Sequence, residues 1–288
     1  MLIAVNSGYW DTKVYDGVNC FKFRTKLDEA KNQIINSYNT YHIQYQGKGY
    51  ILGDGASKYN LDYDKTTNLI HKISTYYALS QFGEKSEYEV MVALPLNIYS
   101  SLKSAYQEYL KTDGYVELTV SGEKKLIKIN SCKAFPEGIA ALYSNNPQKY
   151  KDSIIGILDI GSLTTNGCIM HNLNLIKESV FTIQTGVIIL FNKIQKYLNS
   201  KMINIKEYEI PYIMNEYNLD SIINEHIEEI RQQMQKSDWG NVPILLTGGG
   251  SLLLETYLKN VFPLSFVGQH GIYDNVKGLY EVGRVAYA

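Results

Sequence analysis

Residues 154–171 read IIGILDIGSLTTNGCIMH, and the fold turns on how they are read. An apolar run ends in Asp159, Gly161 follows two residues on, and Ser162, Thr164 and Thr165 crowd the turn before a second run begins. A tight hairpin of Gly, Ser and Thr presents backbone N–H groups and hydroxyls at one point, a concave donor surface suited to phosphate oxygens. Asp159, at the strand end, is placed to hold a divalent cation through bound waters, because Mg²⁺ keeps most of its hydration shell. Taken alone, the stretch reads better as an ordinary β-turn with a solvated Asp. Residues 1–16, MLIAVNSGYWDTKVYD, shift that balance. They repeat the plan, with Asn6 at the place of Asp159 and Gly8 at the place of Gly161. Ser7, Gly8, Tyr9 and Trp10 offer turn N–H groups, and Lys13, by default a surface lysine, offers a mobile charge for a β- or γ-phosphate.

Each copy opens one half of the chain, which points to two α/β halves on a shared plan with a ligand between them. Between the copies, Leu2–Val5 and 13–15 read as strands, and 41–52 as a hairpin turning at Gly47-Lys48. Residues 66–82 have helical spacing, 88–94 form a buried strand stopped by Pro95, and a helix covers 97–111. A second hairpin spans 115–135 with its turn at Ser121-Gly122. Pro136 is expected to open a helix, PEGIAALYS, where its missing N–H costs nothing. The polar run NNPQKYKDS (145–153) is the expected boundary, giving a first half over 1–146 and a second over 147–271, with a C-terminal helix at 272–288 packing back on the first. The second half reads as strands 154–160, 165–171 and 174–183, a helix over 186–199, an unassigned polar stretch, and a helix over 219–236. Then VPILLTGGGSLLLETYLKN gives strand, Gly run and helix, PLSFV a last strand, and DNVKGLYEVGRVAYA a terminal helix.

Length favours roughly two domains, as 288 residues divide into units of about 150. A net charge of −1 argues against direct nucleic-acid binding by a basic surface. The 25 Tyr residues are scattered and read as compositional bias, not as a stacking platform for bases. Cys20, Cys132 and Cys168 make no CxxC pair, and the five His stand apart, so no zinc spacing exists. Free thiols suit a reducing, cytoplasmic setting. The N-terminus has no basic segment and reads as a strand instead of a signal peptide, and no run reaches the ~18 apolar residues of a membrane span.

Gly248, Gly249 and Gly250 form a third turn, leading into a helix whose N-terminus would face a nucleotide; a strand-to-helix corner is the plainer alternative. There is no GxxxxGK[ST], and GKGYILG misses the GxGxxG spacing. Glu137 falls in the first turn of the expected PEG helix. It is either a favourable charge at a helix N-terminus or a carboxylate that orients an attacking water, and the spacing divides evenly between these.

Two phosphate hairpins, a PEG start between them, a late GGG turn and the terminal YDNVKGLYEVGR together resemble the actin-like ATPase superfamily. VALPLNIY, FPEGIAALY, LDIGSLTTNG, LLTGGGSLLLETYLK and YDNVKGLYEVGR follow in order over essentially the whole chain, most like the bacterial plasmid-segregation actins, the ParM and AlfA group. The combination is specific; no single piece is. The resemblance implies two actin-like, ribonuclease H-like halves with a nucleotide cleft between them. It also implies a cytoplasmic, bacterial filament former that uses ATP or GTP with Mg²⁺. Its partners would be copies of itself and a DNA-binding adaptor that loads the plasmid centromere, with no membrane and no direct nucleic acid.

Carried over by position, the resemblance makes Asp159 the metal-holding carboxylate and Glu137 the residue that orients the hydrolytic water. Ser7, Gly8 and Lys13, with Asn6, Tyr9 and Trp10 beside them, line the first phosphate hairpin. Gly161, Ser162, Leu163, Thr164 and Thr165, with Gly186, line the second, and Gly248 to Gly250 flank the nucleoside. Two features depart from the family pattern. Asn6 stands where an Asp is usual, and residues 200–219 are short for the subdomain that closes over the base, as in the AlfA branch. Two other classes stay open: a small-molecule kinase of the same superfamily, with Asp11 as its base, and a weakly hydrolysing nucleotide-binding scaffold.

Overall fold

In the computed structural model, residues 1–30, 37–59, 64–206, 209–235, 237 and 239–288 are described, and they separate into two compact units. The first unit comprises residues 1–143 and 275–288; the second comprises 144–274.

The first unit is built on a nine-stranded mixed sheet. Its strands are β1 (Leu2–Ser7), β2 (Asp11–Tyr15), β3 (Cys20–Arg24), β4 (Leu27–Glu29), β5 (Thr40–Tyr45), β6 (Lys48–Gly53), β7 (Lys85–Leu94), β8 (Val116–Val120) and β9 (Glu123–Pro136). They lie in the order β3-β2-β1-β7-β9-β8-β5-β6-β4. β1 runs antiparallel to β2 and parallel to β7, and β7 runs parallel to β9. Helices α1 (Leu69–Ser80), α2 (Leu96–Leu110) and α3 (Ile139–Ser144) follow from apolar spacing and capping: Asn68 accepts from the Ile70 N–H at 3.0 Å, and Pro95 ends β7. Ile73, Tyr76 and Tyr77 of α1 pack on Ile3, Val5 and Val14 in the core. Each such side chain contributes about 1.5–3 kcal/mol on burial.

Two expectations are corrected here. The first hairpin turns at Gln46-Gly47, one residue early, because both take positive φ (49° and 74°), the conformation a two-residue hairpin turn requires. Pro136 does not open a helix. It is the last residue of β9, opposite Leu94, and Glu137 and Gly138 form a turn before α3. The Glu137 N–H donates to the Leu94 carbonyl at 2.7 Å, and Gly138 has φ +79°, so no helix passes through it.

The second unit carries a five-stranded sheet of β10 (Ile154–Ile160), β11 (Thr165–His171), β12 (Asn174–Ile183), β13 (Ile244–Thr247) and β14 (Ser265–Val267). The order is β12-β11-β10-β13-β14, with β10 antiparallel to β11 and parallel to β13. This matches β3-β2-β1-β7-β9 strand for strand, so the duplication read from two turns extends to five strands. Helices α4 (Val187–Ser200) and α6 (Asp220–Met234) bury Leu190, Ile194, Ile223, Ile227 and Ile230 against Leu158, Ile160 and Leu246. Residue 236, the expected end of α6, lies outside the described residues, as do 207 and 208 of the polar stretch, where α5 (Ile210–Ile213) is one short turn. The helix expected after the Gly run divides into α7 (Gly249–Leu253) and α8 (Glu255–Val261), joined through Leu254. The last helix, α9 (Asp274–Ala286), belongs to the first unit from Asn275 on.

Candidate functional site

In the first unit, Asn6 is the second-last residue of β1 and lies opposite Lys13; Ser7 lies opposite Thr12. The Gly8 N–H donates to the Asp11 carbonyl at 3.2 Å, and a Cβ on Gly8 would sit 2.9 Å from that oxygen. Ser7 Oγ lies 2.8 Å from His71 Nδ1 and 3.3 Å from Thr12 Oγ1, so a buried polar chain sets its direction. Burial holds His71 well below the ordinary imidazole range, and the Lys65 charge adds to this, so the ring is neutral. Asn6 is 7% exposed, and its Oδ1 has no hydrogen-bond partner among the described residues. Trp10 stacks on Tyr59 with the Arg24 guanidinium 4.5 Å from its ring centre. The Asp11 carboxylate is taken by Lys22 (2.7 Å) and Arg24 (3.1 Å). Burial opposes its charge, but Arg24 and Lys22 outweigh that and hold Asp11 below the usual carboxylate range.

Glu137 reaches the same hairpin through a lysine that the sequence reading did not single out. Lys65 is fully buried; its ammonium donates to the Ser7 carbonyl at 2.9 Å and to Glu137 Oε1 at 3.0 Å, and lies 5.2 Å from the Tyr9 ring centre. Among the described residues no hydrogen bond ends on Glu137 Oε2. Glu137 is held from behind by its own N–H on Leu94 and by the Gly138 N–H on Asn275 Oδ1 at 2.8 Å.

In the second unit, Asp159 is likewise the second-last residue of β10, 6% exposed and opposite Asn166. The Gly161 N–H donates to the Thr164 carbonyl at 2.8 Å, and a Cβ on Gly161 would sit 3.2 Å from it. The hairpin around Ser162 and Leu163 is bound to the start of α4. The N–H groups of Gly186, Val187 and Ile188 donate to the carbonyls of Leu163, Gly161 and Ser162 at 3.1, 3.1 and 2.9 Å. A Cβ on Gly186 would approach the Ser162 carbonyl to 2.4 Å, so only glycine allows this contact. Thr165 Oγ1 donates to the Thr185 carbonyl at 3.0 Å. Gly248 has φ +84°, and its Cα lies against Asp159: a Cβ there would be 2.4 Å from Asp159 Oδ1. Gly250 packs on Ile160, whereas Gly249 is exposed with nothing near its Cβ position. Burial, with the Asp159 charge adding to it, pushes the nearby Cys168 thiol up to about 12.

Among the described residues no group of three His, Cys, Asp or Glu could enclose a metal ion. One buried carboxylate at a strand end beside turn N–H groups is instead the donor set of a Mg²⁺ held chiefly by phosphates and water. Asp159 fits that role. Lys65 and His71 were missed because each works through a partner distant in sequence; a His on the small, polar stripe Ser74, Thr75 and Ala78 of a helix was the one available signal.

Residues 4–139 match the family model described as the N-terminal domain of actin-like proteins. A comparison with curated protein sequences returned no match. Among solved structures, the apo pSK41 ParM protein superposes with a TM-score of 0.77 at 16% identity, covering 99% of this chain and 97% of that one. Ta0583, an archaeal actin homolog in complex with ADP, gives 0.80 at 18% identity, with 99% of each chain covered. The filament structure of AlfA from B. subtilis plasmid pLS32 gives 0.70 at 18% identity, covering 96% of this chain and 97% of that one. The whole chain therefore has the actin-like fold, and over residues 4–139 it is similar in sequence to the N-terminal domain of actin-like proteins.

Proposed function

We propose that the chain is an actin-like nucleoside triphosphatase. It polymerises with bound ATP or GTP and segregates plasmid DNA in the bacterial cytoplasm through a DNA-binding adaptor. One observation carries this reading: both sheets, in the same strand order, hold the same turn, a Gly N–H donating to the carbonyl three residues on, with a buried Asn6 or Asp159 two residues before the Gly. Of the solved relatives, one is in complex with ADP and AlfA and Alp12 are filaments, which supports nucleotide use and self-assembly here.

On this reading the turn shaped by Gly8, with the N–H groups of Tyr9 and Trp10, the Ser7 hydroxyl and the Lys13 charge, supplies the first unit's phosphate contacts. Gly161, Ser162, Leu163, Thr164 and Thr165, fixed by Gly186, supply those of the second unit. Gly248 to Gly250 flank the nucleoside. Asp159 holds the waters of a Mg²⁺, which when bound neutralises phosphate charge. Glu137, with Oε1 on Lys65, offers Oε2 to the hydrolytic water and orients it for in-line attack. The ion pairs of Asp11 with Lys22 and Arg24 would make it a weak base and so favour this reading over the kinase alternative.

Sedimentation and electron microscopy with Mg-ATP and Mg-GTP, with phosphate release in parallel, test the proposal. Nucleotide-dependent pelleting of filaments with release of phosphate is expected. Turnover without any pellet points to a kinase-like enzyme, and a pellet without phosphate release leaves a scaffold.

A further inference from the structure

Lys65 is a lysine with no solvent exposure, and an ammonium is among the costliest groups to bury. Both hydrogen bonds it makes end on the first unit's site: one on the Ser7 carbonyl, at the edge of the phosphate turn, and one on Glu137 Oε1. Its third neighbour is the face of Tyr9, the next turn residue but one. The segment that delivers it is ordered by its own bonds, with Asp64 Oδ1 accepting from the Thr66 N–H at 2.7 Å and Asn68 capping α1. A lysine serving only packing would not select these atoms.

We propose that Lys65 is the positioning residue of the hydrolytic step. It occupies one carboxylate oxygen of Glu137, leaves Oε2 as acceptor for the attacking water, and ties that carboxylate to the backbone of the phosphate turn. This rests on the role given to Glu137 above and adds how its geometry is set. A buried carboxylate with two free oxygens has several ways to accept a water; with one oxygen fixed at 3.0 Å by a charged donor it has one. Because Lys65 also bonds Ser7, a shift of the phosphate turn carries Glu137 with it. Among the described residues, the titratable groups facing the pair are uncharged: Tyr9 from the turn, neutral His71 from α1 and Tyr106 from α2, whose hydroxyl burial keeps protonated. None of these can replace the ammonium.

The test is a double-mutant cycle on the full chain: parent, Lys65→Met, Glu137→Gln and the combined variant, assayed for phosphate release and for Mg-ATP and Mg-GTP binding. Lys65→Met should lower kcat about 10- to 100-fold while KM and nucleotide affinity stay within about threefold. In the Glu137→Gln background the same change should cost nothing further, because there is no carboxylate left to position. If Lys65→Met does not fold, Lys65→Gln, polar but one bond too short to reach both the Ser7 carbonyl and Glu137, takes its place and should show the same split. Parental kcat in the Lys65 variant, alongside a slowed Glu137→Gln, overturns the inference and leaves the role of Glu137 standing. Equal losses in both backgrounds make Lys65 merely structural and also overturn it. Parental kcat in Glu137→Gln is a different failure, since it removes the water-orienting role itself.

Discussion

The three glycines of the run 248–250 look alike in sequence, yet the structure assigns them different tolerances, which makes them a sharp test of the site. Gly248 has φ +84°, and an added Cβ would lie 2.4 Å from both Asp159 Oδ1 and the Ile160 carbonyl oxygen. With ψ at 160°, this backbone conformation is open essentially to glycine alone, and a side chain there costs about 1–3 kcal/mol. The Ile160 carbonyl belongs to β10 and cannot retreat without disturbing its ladder with β11, so overpacking adds about 1–3 kcal/mol. Gly248→Ala should therefore lower stability by about 2–6 kcal/mol, and it should displace the carboxylate of Asp159. Gly249 begins α7, with nothing within 4 Å of its Cβ position. Gly249→Ala should be neutral, or stabilising by up to about 1 kcal/mol through the unfolded chain. Urea unfolding of the two variants beside the parent reads the difference directly, and calorimetry with Mg-nucleotide reads its effect on the site. Equal midpoints for the two variants would refute the geometry assigned to this turn.

Asp159→Ala should abolish Mg²⁺-dependent nucleotide binding with the circular dichroism spectrum unchanged; parental affinity in calorimetry would show that the carboxylate holds no metal. Asn6→Asp should change nucleotide affinity little, because stronger repulsion of the triphosphate and a better-held metal water shell trade off at ~1–3 kcal/mol each, while phosphate release rises several-fold. Slower release in that variant would make the amide an adaptation for hydrolysis. Burial lowers His71 and His226 below the ordinary value of 6.5, each with a nearby lysine adding to it, so the unfolded chain binds more protons than the folded one below that pH. Stability contributed by these neutral rings is thus complete above about pH 6.5 and falls with decreasing pH, by at most about 1.4 kcal/mol per unit for each ring. Urea midpoints that stay flat from pH 7.5 to 5.5 would contradict this, and His71→Gln should reduce the slope.

What the sequence disclosed was whatever depends on local pattern. Residues 154–160, 165–171 and 174–183 read as strands and are strands, because apolar runs between Gly, Asn and Ser turns leave the backbone few alternatives. The short edge elements β3 and β4 went unread, since CFKFR and LDE are too brief and polar to stand out without their partners. Pro136 was misread for a deeper reason. Proline suits a helix start and an unbonded strand end equally, and the choice was made by Leu94 and Asn275, which bond Glu137 and Gly138 from elsewhere in the chain. Lys65 was invisible by the same logic: its partners lie 58 and 72 residues away, and nothing in DYDKTTN says that one charge in it is buried.

The two hairpins show which part of a duplicated site resists divergence. Their shared feature, the Gly N–H bonded to the carbonyl three residues on, is backbone chemistry and tolerates almost any side chain beyond the Gly. The side chains have gone opposite ways. In the second unit a carboxylate is kept, Asp159, pressed against a glycine that no other residue could replace without moving it. In the first unit every acid near the turn is matched: Asp11 by Lys22 and Arg24, Glu137 by Lys65, with Asn6 neutral beside Lys13. Among the described residues, the first hairpin thus carries acids only with basic partners, and the second carries one buried carboxylate at its strand end. On that division of charge Asn6 is not a defective Asp159. An amide there adds no negative charge to a turn whose facing strand carries Lys13.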